Sequence, residues 1–548
     1  MKEKTLEKLK GILRKKETFF LFLLLFGLIW LRFAAFGLEY QPQLDDYIQL
    51  HNYATSEDYL RFLSEQGLLS ARPLAGVFDL YVWSNLWDNL FLAVTVISLM
   101  LSASVIFIKS VLEKYFALSP LFCVLIALVP AATEGTYWLA ASTRIVVGLF
   151  FASLSFVLFQ RFLENGRLAD AIFFVPLQLI SFGFYEQILV FSCAFCLFLF
   201  LLNVRKNTRR AFLAAVTLPD LVIYFSLCLL AGTSTLYGSR MELALPDNPY
   251  YFETFLPDVL VQIKAVFLNG NAVIFLKGFL RGLTSGVPFV IFLLLLLSAS
   301  LFFFFGKGRK GEKMRNPFLG MLVGFLLAVF PVLIFFFIAN TWFSFRCMVA
   351  SLPGIALFFD SFTEWAFGKC RTAKKFLVCL FCFVCCTATL SEIADYRETA
   401  AFDESFGESL AAYCESIPGG KKIGILNVEP TYLTEQNFYY HEHIHGVTES
   451  QWALTGMMIA RDTSFAHSLT PMPISQPYAA WNRDNNLPEN FDLLLLYLPE
   501  SNSFVPVEVV FENGLRALYD ENGVKRAEIT EENNVGKGRI CSEIGEST

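Results

Sequence analysis

The sequence predicts an all-α polytopic membrane protein of about eleven transmembrane helices, followed by a C-terminal extracytoplasmic α/β or α+β domain. Three observations lead there. Of 548 residues 55% are hydrophobic and only 17% charged, and the apolar residues fall in runs long enough to cross a bilayer. The short connections between alternate runs are basic. From about residue 391 the apolar runs stop and the composition becomes that of a soluble domain.

Residues 1–17, MKEKTLEKLKGILRKKE, form a basic cytoplasmic N-terminus read as an interfacial anchor to anionic lipid. The run TFFLFLLLFGLIWLRFAAFGL, Thr18 to Leu38, is the first span. It is too long for the apolar core of a signal peptide, and no small-x-small cleavage site follows it. Further spans are expected at 89–109, 115–133, 140–160, 169–185, 187–204, 211–234, 286–305, 317–339, 347–367 and 375–393, so that 18–393 is the membrane domain. The basic connections are Lys109 to Lys114, Arg161 to Arg167, Arg205 to Arg210, Lys307 to Arg315 and Lys369 to Lys375. With this count they share one side with the N-terminus. The positive-inside rule makes that side cytoplasmic and puts the C-terminus outside, in an inner membrane. The sixty Phe are read as lipid-facing and interhelical filler.

Three external segments remain. In the loop 39–88, SEDYLRFLSEQGLL spaces Tyr59, Phe62, Leu63 and Leu69 as a surface amphipathic helix does. In the segment 235–285, Lys264, Asn269, Asn271, Lys277 and Arg281 interrupt the apolar run, which is read as one or two interfacial helices or a re-entrant pair. In the domain 394–548, KKIGILNV and NFDLLLLYL are short apolar runs bounded by polar or Gly residues, as buried strands are. VPVEVVFENGLRALYDENG reads as hairpin strands, with Asn513-Gly514 and Asn522-Gly523 as turns.

Of twelve cysteines, ten lie in or beside the spans. Cys379, Cys382, Cys385 and Cys386 have metal-like spacing, but they lie at lipid depth with no neighbouring His or carboxylate and are read as small apolar residues. Cys414 and Cys541 remain for the external domain. An oxidising compartment permits a bridge between them, whereas the polar terminal stretch around Cys541 argues against fixed geometry. His441, His443 and His445 would share one face of a strand and could converge on zinc. Their flanks do not declare a strand, so a polar surface or acceptor-binding loop is preferred and no metal or cofactor is assigned.

The chemistry concentrates at the external helix ends. Asp45-Asp46 follows the first span, where two adjacent carboxylates are a poor packing solution but a natural base for an acceptor hydroxyl. Arg72, Glu134 and Arg144 in TEGTYWLAASTR, Tyr185 and Glu186 in FGFYEQ, and Arg346 in NTWFSFRCM fall on the same side. Charges near lipid depth are costly and usually line a cavity, so a shared polar site is expected. With this layout, LDDYIQLHNY followed by ARPLAG resembles the GT-C class of integral-membrane glycosyltransferases, and in particular the bacterial GtrII-type glucosyltransferases. The resemblance covers the layout of 18–393 and, in sharp motif, Asp45-Asp46 and Arg72-Pro73.

It implies transfer of a sugar from a polyprenyl-phosphate donor to an external glycan, lipid or protein, without a nucleotide-binding fold and with no nucleic-acid partner. Asp45 or Asp46 would be the base, with Asp45 favoured. Arg346, Arg144 and Arg72 would bind the donor phosphate, and Glu134, Tyr185 and Glu186 the acceptor or sugar. A direct displacement with one base would invert the anomeric carbon. The alternative is a transporter or flippase of lipid-linked sugars, which predicts charges buried mid-helix and repeat symmetry. The span centres are nearly free of charge, with Asp220 a partial exception. A non-catalytic scaffold would leave Asp45-Asp46 unexplained.

Overall fold

The computed structural model describes residues 2–55, 72–230, 244–247, 249–304, 316–339, 341–428, 444, 446–472, 487–512, 515–530 and 539–540. They divide between two compact units. One holds Met1–Tyr40 and Ser56–Ala394; the other holds Gln41–Thr55, Asp395–Thr434 and Ile444–Thr548.

The first unit has the helical architecture of a polytopic membrane protein. Among the described residues, nine helices are long and apolar enough to cross a membrane: Lys16–Ala34, Pro73–Leu112, Leu139–Asn165, Glu186–Asn203, Thr208–Cys228, Tyr251–Ser285, Pro317–Phe336, Phe345–Phe367 and Arg371–Cys414. Leu168–Phe182 and Pro288–Phe302 are shorter apolar helices. Local chemistry sets their ends. Ser119 and Asn316 cap helices that begin with Pro120 and Pro317, each accepting a backbone N–H two residues on. Gly166, at φ 66°, closes Leu139–Asn165 in the left-handed region. Pro317–Phe336 and Phe345–Phe367 touch backbone to backbone, since a Cβ on Gly354 would stand 2.2 Å from Ala328 N and one on Gly324 2.4 Å from Phe358 N. Phenylalanine fills the interior, as where Phe156 stacks on Phe195 at 4.1 Å, and also covers exposed faces, as at Phe289, Phe318 and Phe325.

Two expectations need correction, and a third, for 235–285, narrows to its single-helix form. The second half of the loop 39–88 is helical: a continuous run starts at Pro73 and reaches Leu112, absorbing an extra-wide π turn at Asp79–Trp83. The span expected at 115–133 is broken. Its helix is Pro120–Ala127 alone, and an extended step at Val129 and Pro130 leads to short turns up to Thr136. Ser119 at one end donates its N–H to Asp360 at 2.6 Å, and Thr136 at the other receives the Arg32 guanidinium at 2.9 Å. Third, Tyr251–Ser285 is one continuous helical run. Gln262 bonds Thr341 O and the Phe343 N–H, Phe267 meets Phe343, and Gly282 presses on Thr387. The amphipathic helix expected within 56–69 lies outside the described residues.

Several ion pairs gather near helix ends, while Lys264 and Lys277 lie within the run Tyr251–Ser285. Lys109 with Glu113, Lys114 with Glu164, Arg161 with Asp170, and Lys374 with Asp360 and Glu364 form one set. Asp220 lies in the first turn of Thr217–Leu230 but near the middle of the longer run Thr208–Cys228, so it stays an exception to the charge-free span centres.

In the second unit the helix expected to stop near 393 continues to Cys414. Tyr396, Thr399, Ala400, Asp403, Phe406, Leu410 and Cys414 are buried at helical spacing, so the polar-looking stretch is an amphipathic helix. Seven strands form one mixed sheet: β1 (Lys422–Leu426), β2 (Ser468–Met472), β3 (Leu493–Leu498), β4 (Ser503–Glu512), β5 (Leu515–Asp520), β6 (Lys525–Thr530) and β7 (Arg539–Ile540), in the order β2-β1-β3-β4-β5-β6-β7. β1 pairs in parallel with β2 and β3; the remaining pairs are antiparallel. The helix Gln451–Arg461 lies between β1 and β2 in the chain. One core joins Leu426, Met472, Leu494, Leu496, Val507, Leu518 and Ala527. Phe406 adds ring contacts to Tyr497 at 5.0 Å and Phe504 at 5.4 Å.

Candidate functional site

Six of the expected site residues come together in the first unit. Arg72 Nε donates to both carboxylate oxygens of Glu186, at 3.0 and 3.1 Å, and its guanidinium lies 4.5 Å over the Tyr185 ring. Arg144 Nη2 donates to Asp79 Oδ2 at 3.1 Å, with both side chains buried. Glu134, also buried, accepts the Ser344 hydroxyl at 2.9 Å and the Arg346 backbone N–H at 2.8 Å. Its Oε1 lies 3.5 Å from Arg346 Nε, and that guanidinium sits 5.5 Å over the Trp138 ring.

Tyr185 joins these pairs into one cluster. It is within electrostatic range of Arg72, Arg346 and Glu186, and its hydroxyl lies 4.0 Å from Cys347 Sγ. Asp79 feels Arg72 as well as Arg144. Close backbone contact holds the parts in register. A Cβ on Gly135 would stand 3.2 Å from Arg346 Cα, and the Gly183 carbonyl accepts the N–H groups of Leu74 and Ala75. Three guanidiniums therefore face three carboxylates, which is what a low-dielectric surrounding requires. The side chains of Arg72, Glu186 and Arg346 keep 18%, 32% and 28% exposure, so the cluster presents an accessible edge.

Asp45 and Asp46 belong to the second unit, in Gln41–Thr55. The two differ sharply. Asp46 is fully buried; its Oδ2 accepts the Gln43 N–H at 3.0 Å, and Gln43 Nε2 donates to Tyr396 O at 2.7 Å. Asp45 is half-buried, and its Oδ1 accepts the indole N–H of Trp452 at 3.1 Å. Leu44, at φ 40°, turns the backbone into the left-handed region immediately before the pair, a costly conformation for a branched apolar residue. The π turn Tyr47–Asn52 then packs on Gln451–Arg461, where Asn52 Nδ2 donates to Gly456 O at 3.1 Å and a Cβ on Gly456 would stand 2.8 Å from Ile48. Burial pushes the Tyr47 phenol above its ordinary value, and nearby Asp403 adds to the push.

Sequence reading missed Asp79, Trp138, Ser344, Asp403 and Trp452. Asp79 had a signal, since a lone acid in the apolar stretch PLAGVFDLYVW requires a partner. Asp403 is buried and accepts the Val447 N–H at 2.9 Å, a contact across 44 residues that spacing does not reveal. Trp452 falls on the face opposite buried Ala453, Leu454, Met457 and Met458, which helical periodicity predicts.

Cys379, Cys382, Cys385 and Cys386 carry no bridge, and among the described residues no group of His, Cys, Asp or Glu is arranged to hold a metal. Cys414 is a buried free thiol, and Cys541 lies outside the described residues, as do His441, His443 and His445. The chain matches no protein-family model and no curated protein sequence.

Proposed function

We propose that the protein is a membrane glycosyltransferase that moves a sugar from a polyprenyl-phosphate donor to an extracytoplasmic glycan, lipid or protein acceptor. In this reading it lies in a cytoplasmic membrane, with its N-terminus inside and its C-terminus outside. The observation that carries the proposal is the guanidinium cluster at one end of an apolar helical bundle, with Arg72 and Arg346 stacked on Tyr185 and Trp138 and still accessible. The phosphodiester of such a donor spreads one negative charge over two oxygens and gains a second as the sugar leaves, and a planar guanidinium answers that oxygen fork with paired donors. Arg144 is closed against Asp79 and contributes position more than direct contact.

Asp45 takes the acceptor hydroxyl proton, and Asp46 holds the loop that carries it. The acceptor oxygen forms its bond to the anomeric carbon as the bond from that carbon to the phosphate oxygen breaks. The electron pair leaves with the phosphate, whose growing charge is met by Arg346 and Arg72. A single displacement inverts the anomeric configuration. A transporter of lipid-linked sugars finds less support, because the paired charges Lys109–Glu113, Arg161–Asp170 and Lys374–Glu364 sit near helix ends.

The test is transfer from a panel of polyprenyl-phosphate hexoses by the full-length protein in membranes. Arg346→Ala impairs transfer more than Arg346→Lys, because lysine keeps the charge and loses the fork. Equal activity of Arg346→Ala and the unaltered protein overturns the assignment of donor binding.

A further inference from the structure

An exposed tryptophan beside an open carboxylate is a combination that the fold of the second unit does not need. Trp452 is 58% exposed on a helix whose other face is buried. Tryptophan is strongly buried on average, and exposed examples concentrate where something binds. The ring is also held. Its N–H is fixed on Asp45 Oδ1, which lies 407 residues away in the chain. Asp45 is in turn held by its neighbours, through Asp46 on Gln43, Gln43 on Tyr396, and Asn52 on Gly456. A carboxylate has about four acceptor positions, and the indole occupies one.

From this we infer that Asp45 and Trp452 form a carbohydrate-binding platform. The sugar's C–H face stacks on the indole, and adjacent hydroxyls donate to the Asp45 carboxylate. A pyranose ring has this pairing of an apolar face with a rim of donors. An anionic ligand would be repelled by Asp45, and a cationic one is ordinarily enclosed by several aromatic rings, where among the described residues Trp452 is the ring that bonds Asp45. The identification of the bound sugar as the acceptor rests on the transferase reading; the platform itself does not.

The experiment uses the full-length chain in lipid nanodiscs, because glycoside detergents would compete for the site. Binding of maltotriose, cellotriose, mannotriose, chitotriose and a rhamnose trisaccharide is measured by calorimetry and saturation-transfer NMR, without any donor. At least one of them binds the unaltered protein. Trp452→Ala weakens that binding by about 30-fold or more. Trp452→Phe keeps a stacking surface and loses less, and Asp45→Asn weakens binding by about 10-fold. Trp452→Phe and Asp45→Asn keep the test decisive should Trp452→Ala fail to fold.

Failure of every saccharide to bind, or equal binding by Trp452→Ala, overturns the platform, as does displacement of the saccharide by a lysine peptide. Saccharide binding without transfer from any polyprenyl-phosphate sugar keeps the platform and removes the transferase reading. Transfer without saccharide binding does the reverse.

Discussion

The two units treat their charges in opposite ways. In the first, Arg72, Arg144 and Arg346 each meet a carboxylate, and the most buried pair, Arg144 with Asp79, is sealed. In the second, Asp46 is buried and accepts a backbone N–H, while half-buried Asp45 is held, among the described residues, by one neutral donor. The difference follows from the medium. An apolar helical bundle cannot carry an unpaired charge, because desolvation costs several kcal/mol per ion, so accessible edges are left only where pairing is loose. A unit of soluble composition can hold a carboxylate with an indole and leave its remaining lone pairs for a ligand. Recognition of a lipid phosphate suits the first arrangement, and recognition of hydroxyls suits the second.

The largest expected effect comes from breaking the sealed pair. Asp79→Asn or Arg144→Met destabilises the protein by about 3–5 kcal/mol, because the remaining charge is buried alone. The double substitution Asp79→Leu with Arg144→Met recovers much of the loss. Thermal unfolding in nanodiscs measures both, and a single substitution as stable as the unaltered protein would show that the pair is not sealed. Next comes the loose pair. Arg72→Ala removes a charge-assisted bond at an accessible edge and raises the donor KM about 10-fold with little effect on stability. Equal loss of stability in Arg72→Ala and Arg144→Met would erase the distinction between edge and interior.

The smallest effect lies in the sheet. The Val524 N–H holds the Asp520 carboxyl below its usual range against opposing burial, and Arg526 and the Asn522 N–H assist. A carboxyl held low in the folded state stabilises above its unfolded pKa of about 3.9, and that stability is lost as pH falls through the folded value. The protection of the 515–530 amides relative to their intrinsic exchange rates therefore falls at the acid end of that window, and Asp520→Asn removes that fall. Protection that is flat across that window in the unaltered protein would contradict this.

How much of this was legible depended on whether the signal was local. β1 and β3 are short apolar runs, and β4 and β5 are set off by the turns Asn513-Gly514 and Asn522-Gly523, so these four read directly from the sequence, whereas the polar β6 did not. β2 was invisible, because Ser468–Met472 contains Pro471, which an edge strand tolerates and a central one does not. The stretch 115–133 has the composition of a span and breaks because Pro130 cannot continue a helix. At the cluster, each charged residue named from the sequence was visible alone as a cost at lipid depth. Partner choice was not visible, since Arg72 with Glu186 and Arg346 with Glu134 are separated by 114 and about 210 residues, beyond any periodicity. Asp45 was legible as a carboxylate at a boundary, but the indole that orients it comes from the other end of the chain.

The most direct test of the account is the kinetics of Asp45→Asn, with full-length protein in membranes and both donor and acceptor saturating. A residue that binds acceptor and also takes its proton must affect both constants. The account predicts that kcat falls by about 10²–10⁴-fold, while the acceptor KM rises by a smaller factor. An unchanged kcat with only a raised acceptor KM would make Asp45 a binding residue alone and would contradict its role as the base.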